Sequence, residues 1–506
     1  MKLSNKHQSP APSVIVRADF SGGLNTSTNA DGITENQLLV AENIEVERNS
    51  GRLKTVAGTV DIFLSNFIIS AAMYDEINKV ILLVFTNKSV HVLNLLTGAV
   101  SDSVGTLNGN LYPVCQSWEN GLLIATGGKL QYFDGMTLQT LTDSSDSNFV
   151  YTRASRVLTT SPDNFIRYSA VGDETDWTEN DTIDSSDYKF VEIGYKDGGN
   201  IVGMVNLSQD VLIIKDNRRV YRLSGEFPNW SINEVSRNVE CSGRLSFCAV
   251  SDSVFILGKN EVQVMQTTQS YGDVKPQNVA SLIVNEIQKL PNNAIVRYVP
   301  PLNQVWFIGY GGSVMLYDLN VNAWYKRKFN SPVVDVISVG DEVFIVKADR
   351  ISRLDEGSFF DSGMAMQWKF QAQRLISQHT YLLKRSQISL IPYSQLLYTG
   401  QISVGAVRLD FPIPARNIKI YKNHSRIYKN HTKICLSARK RFTHMKQDLI
   451  YDNLTPIYGN HTKIFSQPTV LKESRNVFRS KFLDIIGCGS GGGFLLNGIT
   501  FEVVEV

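Results

Sequence analysis

The chain has 506 residues, of which 43% are hydrophobic, 10% aromatic and 19% charged. This length suits about three domains, or one large domain with extensions, and it suffices to bury a core without disulfides or metals. The composition excludes a wholly disordered or collagen-like chain. The longest apolar runs, such as Val80–Phe85, are strand-sized and far shorter than the ~20 residues of a membrane-spanning helix.

The N-terminal residues contain no apolar segment of the length that a signal peptide needs, so we expect the protein to be made and initially kept in a cytoplasm. The five cysteines, at 115, 241, 248, 435 and 488, are scattered and form no CxxC pair. This pattern predicts neither a disulfide framework nor a zinc finger.

The net charge of +2 is unevenly distributed. The sequence from Met366 onward has 20 basic and 7 acidic residues, whereas residues 1–365 have 30 and 41. The strongest concentration is a segment from Arg416 to Lys446 with ten basic residues and no acidic one. Such asymmetry indicates that the two parts of the chain face different partners.

Short runs of β-branched and aromatic residues, separated by Gly, Asn, Asp and Ser, predict strands nearly throughout. The best candidate for a helix is residues 34–47 (TENQLLVAENIEVE), which fits a short helix followed by a strand equally well.

An apolar strand recurs at steps of about 40–50 residues, which is the spacing of propeller blades. Six of its seven copies are followed, after a tight polar turn, by a second strand. A four-stranded blade has two apolar faces, and radial stacking of blades buries both. We therefore predict an all-β fold with a propeller of six or seven blades, and a large β-sandwich array is the alternative. The copies are VILLVF, GLLIAT, FIRYSA, DVLIIK, SVFILG, QVWFIG and EVFIVK.

The repeat ends near Gly363, which divides the chain into predicted domains. We expect the propeller to occupy 61–365 and a basic, β-rich C-terminal domain to occupy 366–506. The C-terminal part contains its own short repeat, IYKNHSRI, IYKNHTKI and IYGNHTKI.

Three motifs have a possible chemical interpretation that the sequence context disfavours. Gly487–Gly492 matches a dinucleotide-binding fingerprint but precedes a strand rather than a helix, so we predict a hairpin turn. The acidic stretch Asp173–Asp187 lacks the spacing of a calcium loop, and we predict an exposed loop. The histidines of the short repeat fit a solvated basic strand face better than a zinc site. They are His424, His431 and His461, with His444 and Cys435 nearby.

No hydrolase, kinase, metalloprotease or P-loop signature occurs in the sequence. The local motifs therefore predict no catalytic residue, no cofactor and no metal site, while a catalytic triad assembled from distant residues stays open.

Two stretches, Ala18–Thr59 and Ser161–Thr178, resemble the tail nozzle proteins of short-tailed bacteriophages, also called tail tubular, tail hub or DNA-stabilisation proteins. The arginine of the family pattern shortly before Gly58 is replaced here by Lys54-Thr55-Val56. The matching positions in the first stretch are Phe20, Gly22, Gly23, Leu24, Asn25, Gln37, Asn43, Gly51, Leu53 and Gly58. In the second stretch they are Ser169, Gly172, Asp173 and Trp177.

The resemblance implies a virion structural protein in the tail that is not an enzyme and is made in the host cytoplasm. It implies a homo-hexameric ring below a tail adaptor protein, with tail fibres or a distal tip protein as further partners. Such a ring surrounds the exit channel, through which double-stranded DNA passes without sequence specificity, and it helps to retain and then release the genome. Residues 1–60 would be an extended segment that docks on tail neighbours.

Two other functions stay open from the residues themselves. A cytosolic propeller scaffold that binds proteins would suit the repeat, although the double-glycine and Gly-His signatures of the common scaffold repeats are missing. A propeller lyase or glycosidase would need converging acidic or histidine side chains at the mouth of the axis.

The basic segment 416–446 is the candidate binding region. We expect it to be exposed and to meet a polyanion, either DNA in the exit channel or an acidic surface of a neighbouring tail protein or the host envelope. A merely solvated extension is the alternative. The candidate residues are Arg416, Lys419, Lys422, Arg426, Lys429, Lys433, Arg439, Lys440 and Arg441.

Overall fold

The computed structural model describes residues 12–47, 49–161, 163–177, 190–225, 230–267, 274–309, 311–392, 399–404, 407–412, 470–474 and 478–505. The chain forms two compact units. The first consists of Met1–Gly58, Asn320–Lys328 and Asp355–Val506, and the second of Thr59–Leu319 and Phe329–Leu354.

Strands dominate both units. The helices among the described residues are α1 (Val284–Ile287) and one turn of 3-10 helix (Pro300–Leu302). No described helix has the length and apolar character required to cross a membrane. The chain begins with five short strands of the first unit: β1 (Ser13–Arg17), β2 (Gly23–Leu24), β3 (Gln37–Glu42), β4 (Ile44–Val46) and β5 (Leu53–Thr55).

The second unit is a seven-bladed β-propeller whose blades are antiparallel sheets. The strand β6 (Gly58–Leu64) leads into it. Blade 1 consists of β7 (Ile69–Asp75), β8 (Val80–Phe85), β9 (Ser89–Asn94) and β10 (Val100–Thr106). Blade 2 consists of β11 (Val114–Trp118), β12 (Gly121–Ala125), β13 (Gln131–Phe133) and β14 (Leu138–Thr140). Blade 3 consists of β15 (Phe149–Arg153), β16 (Arg156–Thr160), β17 (Phe165–Tyr168) and β18 (Phe190–Glu192).

The remaining blades repeat this order. Blades 4 and 5 consist of β19 (Ile201–Leu207), β20 (Asp210–Lys215), β21 (Val220–Ser224) and β22 (Ser231–Ser236), and of β23 (Phe247–Val250), β24 (Ser253–Leu257), β25 (Val262–Thr267) and β26 (Val274–Asn278). Blade 6 contains β27 (Ile295–Val299), β28 (Gln304–Ile308) and β29 (Ser313–Asp318); β30 (Ala323–Lys328) belongs to the first unit. Blade 7 contains β31 (Val333–Val339), β32 (Glu342–Lys347), β33 (Arg350–Asp355) and β6.

The second strand of a blade is buried on both faces, which explains its continuous apolar sequence. Every residue of β12, β24 and β28 is buried. Neighbouring blades share apolar clusters, so that Ile81 and Leu83 of blade 1 pack with Phe344 and Val346 of blade 7. Similar clusters join blades 1 and 2, 2 and 3, 3 and 4, and 4 and 5.

Blade 7 closes the ring because it combines strands from the two ends of the propeller sequence. β6 pairs beside β33, and the Ser352 hydroxyl donates a 2.7 Å hydrogen bond to Asp61. The Arg350 guanidinium contacts the same carboxylate at 2.8 Å. The propeller is therefore held closed by both a strand pairing and charged contacts.

The predicted propeller is confirmed, with seven blades, but one of the seven recurring strands was assigned to the wrong position. Six copies are second strands, whereas FIRYSA contains β17, the third strand of blade 3. The second strand there is β16 (RVLTT), which sequence inspection missed because arginine and threonines interrupt its apolar character. The Arg156 guanidinium is accommodated by donating to the Ser169 carbonyl at 2.7 Å.

The helix considered for residues 34–47 is not formed. Residues 37–42 and 44–46 are β3 and β4, separated by Asn43, whose φ of 54° interrupts the extended chain. The Asn43 side chain compensates by donating to the carbonyls of Gln367, at 2.6 Å, and Lys328, at 3.0 Å. Tertiary hydrogen bonds therefore override the helical periodicity.

The later strands of the first unit are β34 (Phe360–Asp361), β35 (Met364–Ala365), β36 (Gln367–Ala372), β37 (Leu375–Pro392), β38 (Thr399–Val404), β39 (Val407–Pro412), β40 (Val470–Ser474), β41 (Phe478–Leu483), β42 (Ile485–Ser490) and β43 (Phe494–Glu505). Among the described residues these strands contribute to two large sheets and to a two-stranded sheet of β34 and β35. In one large sheet, β43 lies between β37 on one side and β1 and β5 on the other. In the other, β36 and β38 flank β42.

The glycine-rich segment 487–492 connects two strands that lie in different sheets, so the predicted hairpin is wrong. It precedes a strand, as the sequence indicates, rather than the helix of a dinucleotide-binding turn. It ends β42 and turns into β43 through Gly491 and Gly492, whose φ angles are 64° and 66°. Gly487 is required for packing, because a Cβ atom there would lie 2.1 Å from the Phe370 ring.

The interface between blades 7 and 1 provides a test of ring closure. Replacing the buried Leu83 by alanine should lower the free energy of unfolding by about 2–5 kcal/mol, because the substitution leaves a cavity between two blades. Denaturant unfolding followed by fluorescence measures this change. The matched control is Leu96→Ala in the same blade, where the side chain is 96% exposed and the effect should stay within about 0.5 kcal/mol. Equal effects of the two substitutions would contradict the assignment of this interface.

Candidate functional site at the propeller axis

The nine basic residues selected from the sequence, Arg416 to Arg441, lie outside the described residues, as do the four histidines and the cysteine of the same region. Their exposure and partners stay predictions. Of the acidic stretch 173–187, residues 173–177 are described and form a turn of blade 3. No cluster of three or more His, Cys, Asp or Glu that could hold a metal occurs in the described part of the chain.

Polar side chains concentrate instead where the inner strands of the blades begin. The inner strands are β7, β11, β15, β19, β23, β27 and β31, and each uses only one edge for pairing within its blade. The other edge leaves backbone N–H and C=O groups that need partners. Four residues supply hydrogen bonds at this end of the axis: Tyr112, Arg244, Arg297 and Asp335.

Arg297, Asp335 and Tyr112 form a hydrogen-bonded triad that joins blades 6, 7 and 2. The Arg297 guanidinium binds both oxygens of Asp335 at 3.0 Å, and the Tyr112 hydroxyl donates to Oδ2 at 2.6 Å. The Val336 amide donates to Oδ1 at 2.8 Å. Asp335 is 2% exposed, so its charge depends on these donors rather than on water.

The environment of the triad also shifts the pKa values of Tyr112 and Arg297. Burial raises the pKa of Tyr112 well above its ordinary value, and the negative charge of Asp335 adds to this effect. Burial acts against the charge of Arg297, but the adjacent Asp335 outweighs it and raises the pKa of the guanidinium. At neutral pH Tyr112 is therefore a neutral phenol and Arg297 a charged guanidinium.

Arg244 joins blade 5 to blades 2 and 3. Its guanidinium donates to the carbonyls of Asn148, at 2.9 Å, and Ala125, at 3.2 Å, and also to that of Tyr112. The same group lies 4.9 Å from the centre of the Phe149 ring. Burial lowers the pKa of Arg244 to about 10, which leaves it charged at neutral pH. The arginine thus provides donors for carbonyl groups of several blades.

Two cysteines lie on inner strands near the triad, Cys115 on β11 and Cys248 on β23. Burial raises the pKa of Cys115 to about 11 and that of Cys248 to about 12, although the charge of Arg297 acts in the opposite direction. Both thiols are therefore protonated at neutral pH and are poor nucleophiles. With Asp335 occupied by three neighbouring groups, the arrangement is suited to hold blades together rather than to transfer protons.

A second buried ion pair stabilises blade 4. Lys215 donates to Asp197 at 2.5 Å and to the Ile193 carbonyl at 3.0 Å, while the Tyr221 hydroxyl donates to Asp197 at 2.9 Å. Burial opposes the charge of Asp197, but the hydrogen bonds from Lys215, Gly199 and Tyr221 lower its pKa overall. Because Lys215 is fully buried, this pair is a structural element.

The first stretch that carries the family resemblance forms one packed cluster in the first unit. Asn25 donates to the Gln37 side chain at 2.7 Å, and the Phe20 amide donates to the Gly51 carbonyl at 2.8 Å. Gly23 has a φ of 62°, and a Cβ atom there would lie 2.6 Å from that of Ala323. Gly23 is thus required by local packing, and Asn25 and Gln37 are held by their mutual hydrogen bond.

The end of this stretch is packed equally closely. A Cβ atom at Gly58 would lie 2.5 Å from the Phe360 carbonyl oxygen. Lys54, where the family pattern departs, pairs with Glu45 at 2.9 Å. The buried Arg327 guanidinium from β30 donates to the Ala57 carbonyl, so an arginine does reach this turn from elsewhere in the unit.

The second stretch is a folded turn in blade 3. The Ser169 hydroxyl accepts from the Val157 amide at 3.1 Å, and the Gly172 amide donates to the Ser155 carbonyl at 2.6 Å. Asp173 accepts from the Thr175 amide at 2.8 Å. Its motif residues therefore have architectural roles.

Sequence inspection missed the axial residues because they occupy no shared position in the blades. Tyr112 and Arg244 lie two and three residues before their inner strands, whereas Arg297 and Asp335 are the third residues of theirs. Even an alignment of the blades on their first strands would therefore not place these polar residues at one position.

The axial triad can be tested by a double-mutant cycle. Asp335→Leu alone should lower the free energy of unfolding by about 3–5 kcal/mol, because it leaves the Arg297 charge without its partner. The double variant Arg297→Met with Asp335→Leu should be less destabilised than either single variant, as measured by denaturant unfolding. Glu342→Gln is the control, since its pair with Arg353 is exposed and should contribute less than about 1 kcal/mol. Additive effects at 297 and 335 would contradict the coupling.

The raised thiol pKa values predict slow alkylation. At pH 8, Cys115, Cys241 and Cys248 should react with iodoacetamide at least about a hundredfold more slowly in the folded chain than in urea, since little thiolate is present. The folded-state rate should rise about tenfold per pH unit up to the raised pKa. Peptide mass spectrometry measures the rates, and similar labelling of folded and unfolded chains at pH 8 would disprove the environment described.

No family model and no curated protein matches the chain. Among solved structures, it is similar to BamB from Moraxella catarrhalis, with 12% identity, a TM-score of 0.39, and coverage of 68% of this chain and 96% of that chain. It is also similar to the WD40 beta propeller domain of Doa1, with 11% identity, a TM-score of 0.39, and coverage of 60% and 96%. The computationally designed Ika8 protein matches with 9% identity, a TM-score of 0.36, and coverage of 58% and 99%.

Proposed function

We propose that this chain is a structural protein of a virion tail, the nozzle or hub of a short-tailed bacteriophage. The observation that carries the proposal is the close packing of the motif residues in the first stretch of resemblance. Gly23 and Gly58 leave room for neighbouring atoms that a Cβ would displace, and Asn43 makes a specific long-range hydrogen bond. The motif residues are therefore needed for one three-dimensional arrangement, which a chance similarity of composition would not explain.

In this proposal six copies form a ring beneath a tail adaptor protein, and the ring surrounds the channel through which DNA leaves. Tail fibres or a distal tip protein are further partners. The polar contacts at the axis of each propeller, including those of Arg244, make the individual propeller a rigid block. DNA would then pass through the channel that the six copies enclose, and not through a single propeller. It would be bound through its phosphates and without sequence specificity.

A cytosolic propeller scaffold is the second candidate, since a propeller with many surface turns suits protein binding equally well. An enzyme is less well supported by the axis, where Asp335 is occupied by Arg297, Tyr112 and a backbone amide. Neither alternative accounts for the packed motif in the first unit.

The assembled particle provides the test. We expect particle images to place this chain in a ring of six copies between the adaptor and the distal end of the tail. Particles produced without the chain should package DNA and then lose it, which nuclease sensitivity of the genome measures. A chain absent from purified particles, or present only as a twofold dimer, would refute the proposal.

A further inference from the structure

Exposed apolar side chains occupy hairpin tips on one end of blades 1, 2 and 3. Leu96 is 96% exposed, Met136 is 82% exposed and Val171 is 61% exposed, and each lies in the turn after the third strand of its blade. Ile77, in the first turn of blade 1, is 41% exposed. We call this surface the turn face, and it comprises the turns 76–79, 95–98, 119–120, 134–137 and 170–177.

The turns of the turn face are held in fixed conformations by short acceptor side chains. Asp75 accepts from the amides of residues 77 and 78, Asn94 from those of 96 and 97, and Asp134 from those of 136 and 137. Since these turns are already ordered, the turn face itself loses little conformational entropy when a partner covers it.

Direct contacts make the turn face continuous from blade 1 to blade 3. The Asn78 side chain of blade 1 donates to the Asn120 carbonyl of blade 2 at 3.1 Å. The Trp118 indole of blade 2 donates to Glu174 of blade 3 at 3.0 Å. Burial, together with the charges of Glu174 and Glu119, raises the pKa of Tyr132, which places these groups close together.

The turn face is also strongly acidic. Its turns contain one basic residue, Lys79, among the residues that the structure describes. Against this single positive charge stand six carboxylates: Glu76, Glu119, Asp134, Asp173, Glu174 and Asp176. An apolar surface surrounded by charges of one sign selects a partner of the opposite sign.

We propose that the turn face binds a second copy of this chain through its basic segment, residues 416–446. That segment contains ten basic residues and no acidic one, which complements the charge of the turn face. The same division extends over the chain, since residues 1–365 are acidic overall and the sequence from 366 onward is basic.

The two surfaces differ, so the contact between copies is heterologous and repeats in one direction. Repetition of such a contact gives a ring if the rotation closes. The inference does not require a role in a virion, because it concerns only the way in which copies of the chain associate.

The experiment uses the full chain and two charge-reversed variants. The face variant is Glu76→Lys with Glu119→Lys, and the segment variant is Lys419→Glu, Lys422→Glu, Lys429→Glu and Lys433→Glu. Sedimentation at low salt should show self-association of the wild-type chain at or below about 100 µM, weakened about tenfold or more in each variant alone. Mixing the two variants should restore pairwise association, because the unchanged basic segment of the face variant then meets the unchanged turn face of the segment variant.

The control variant is Asp143→Lys with Asp252→Lys, which changes the charge equally at sites outside the turn face and should associate like the wild-type chain. Thermal unfolding and circular dichroism establish that all variants are folded. Raising the salt concentration should weaken wild-type association, which tests the electrostatic contribution without any substitution.

Four results would overturn the inference. They are a wild-type chain that stays monomeric at about 100 µM in low salt, a face variant that associates normally, a salt-independent association, and a mixture of variants that remains monomeric. In the last case the basic segment would either contact the acidic surface of its own chain or bind DNA. A duplex-binding assay that compares the wild-type chain with the segment variant would separate these two alternatives. None of these results depends on whether the chain is found in phage particles, so failure of this inference and failure of the proposed function are distinguishable.

Discussion

The structure of the second unit depends on one constraint, which is that every blade has two apolar faces and neither can be left in water. Leu82 and Leu83 of β8 are both fully buried although they point to opposite faces of blade 1. Each blade must therefore have a neighbour on both sides, and only a closed ring satisfies this for all of them. The pairing of β6 in blade 7 follows from the same need, because closure leaves no terminal blade exposed.

Closure creates a second requirement at the axis. Seven inner strands converge with one edge each lacking a partner strand, and their carbonyl groups need donors. The planar guanidinium of Arg244 supplies such donors to carbonyls of more than one blade. The bidentate pair of Arg297 and Asp335 adds a contact between blades that apolar packing cannot specify. Apolar burial therefore accounts for the stacking of blades, and polar contacts account for their registration about the axis.

The sequence was sufficient to predict what depends on local patterning. Six of the seven apolar second strands, and the polar turns that follow them, are encoded within about ten residues and were predicted correctly. The turn at Gly491 was predicted as a hairpin, but it links β42 and β43, which lie in different sheets. Blade 3 was misread because Arg156 and two threonines interrupt the apolar sequence of β16. The Arg156 guanidinium donates to the Ser169 carbonyl, and the Thr159 hydroxyl lies 3.2 Å from that of Ser145, so both are accommodated by residues outside the strand.

The axial site could not be predicted in the same way. Tyr112 and Asp335 are 223 residues apart, and nothing near either one indicates a partner. The helix considered for residues 34–47 was wrong for a related reason. The Asn43 side chain donates a hydrogen bond to the carbonyl of Gln367, 324 residues away, and this contact decides the local conformation. Long-range hydrogen bonds are therefore the part of the fold that periodicity does not reveal.

The residues that carry the family resemblance illustrate how a motif can be specific without marking a binding site. Gly23 is needed because Ala323 and Trp324 approach its backbone, and Gly58 because Phe360 does. These positions define how the first unit is built. The charge of the chain is separated elsewhere, between an acidic turn face on the propeller and a basic segment late in the sequence. Packing constrains the scaffold, and the separation of charge is the feature that association between copies would use.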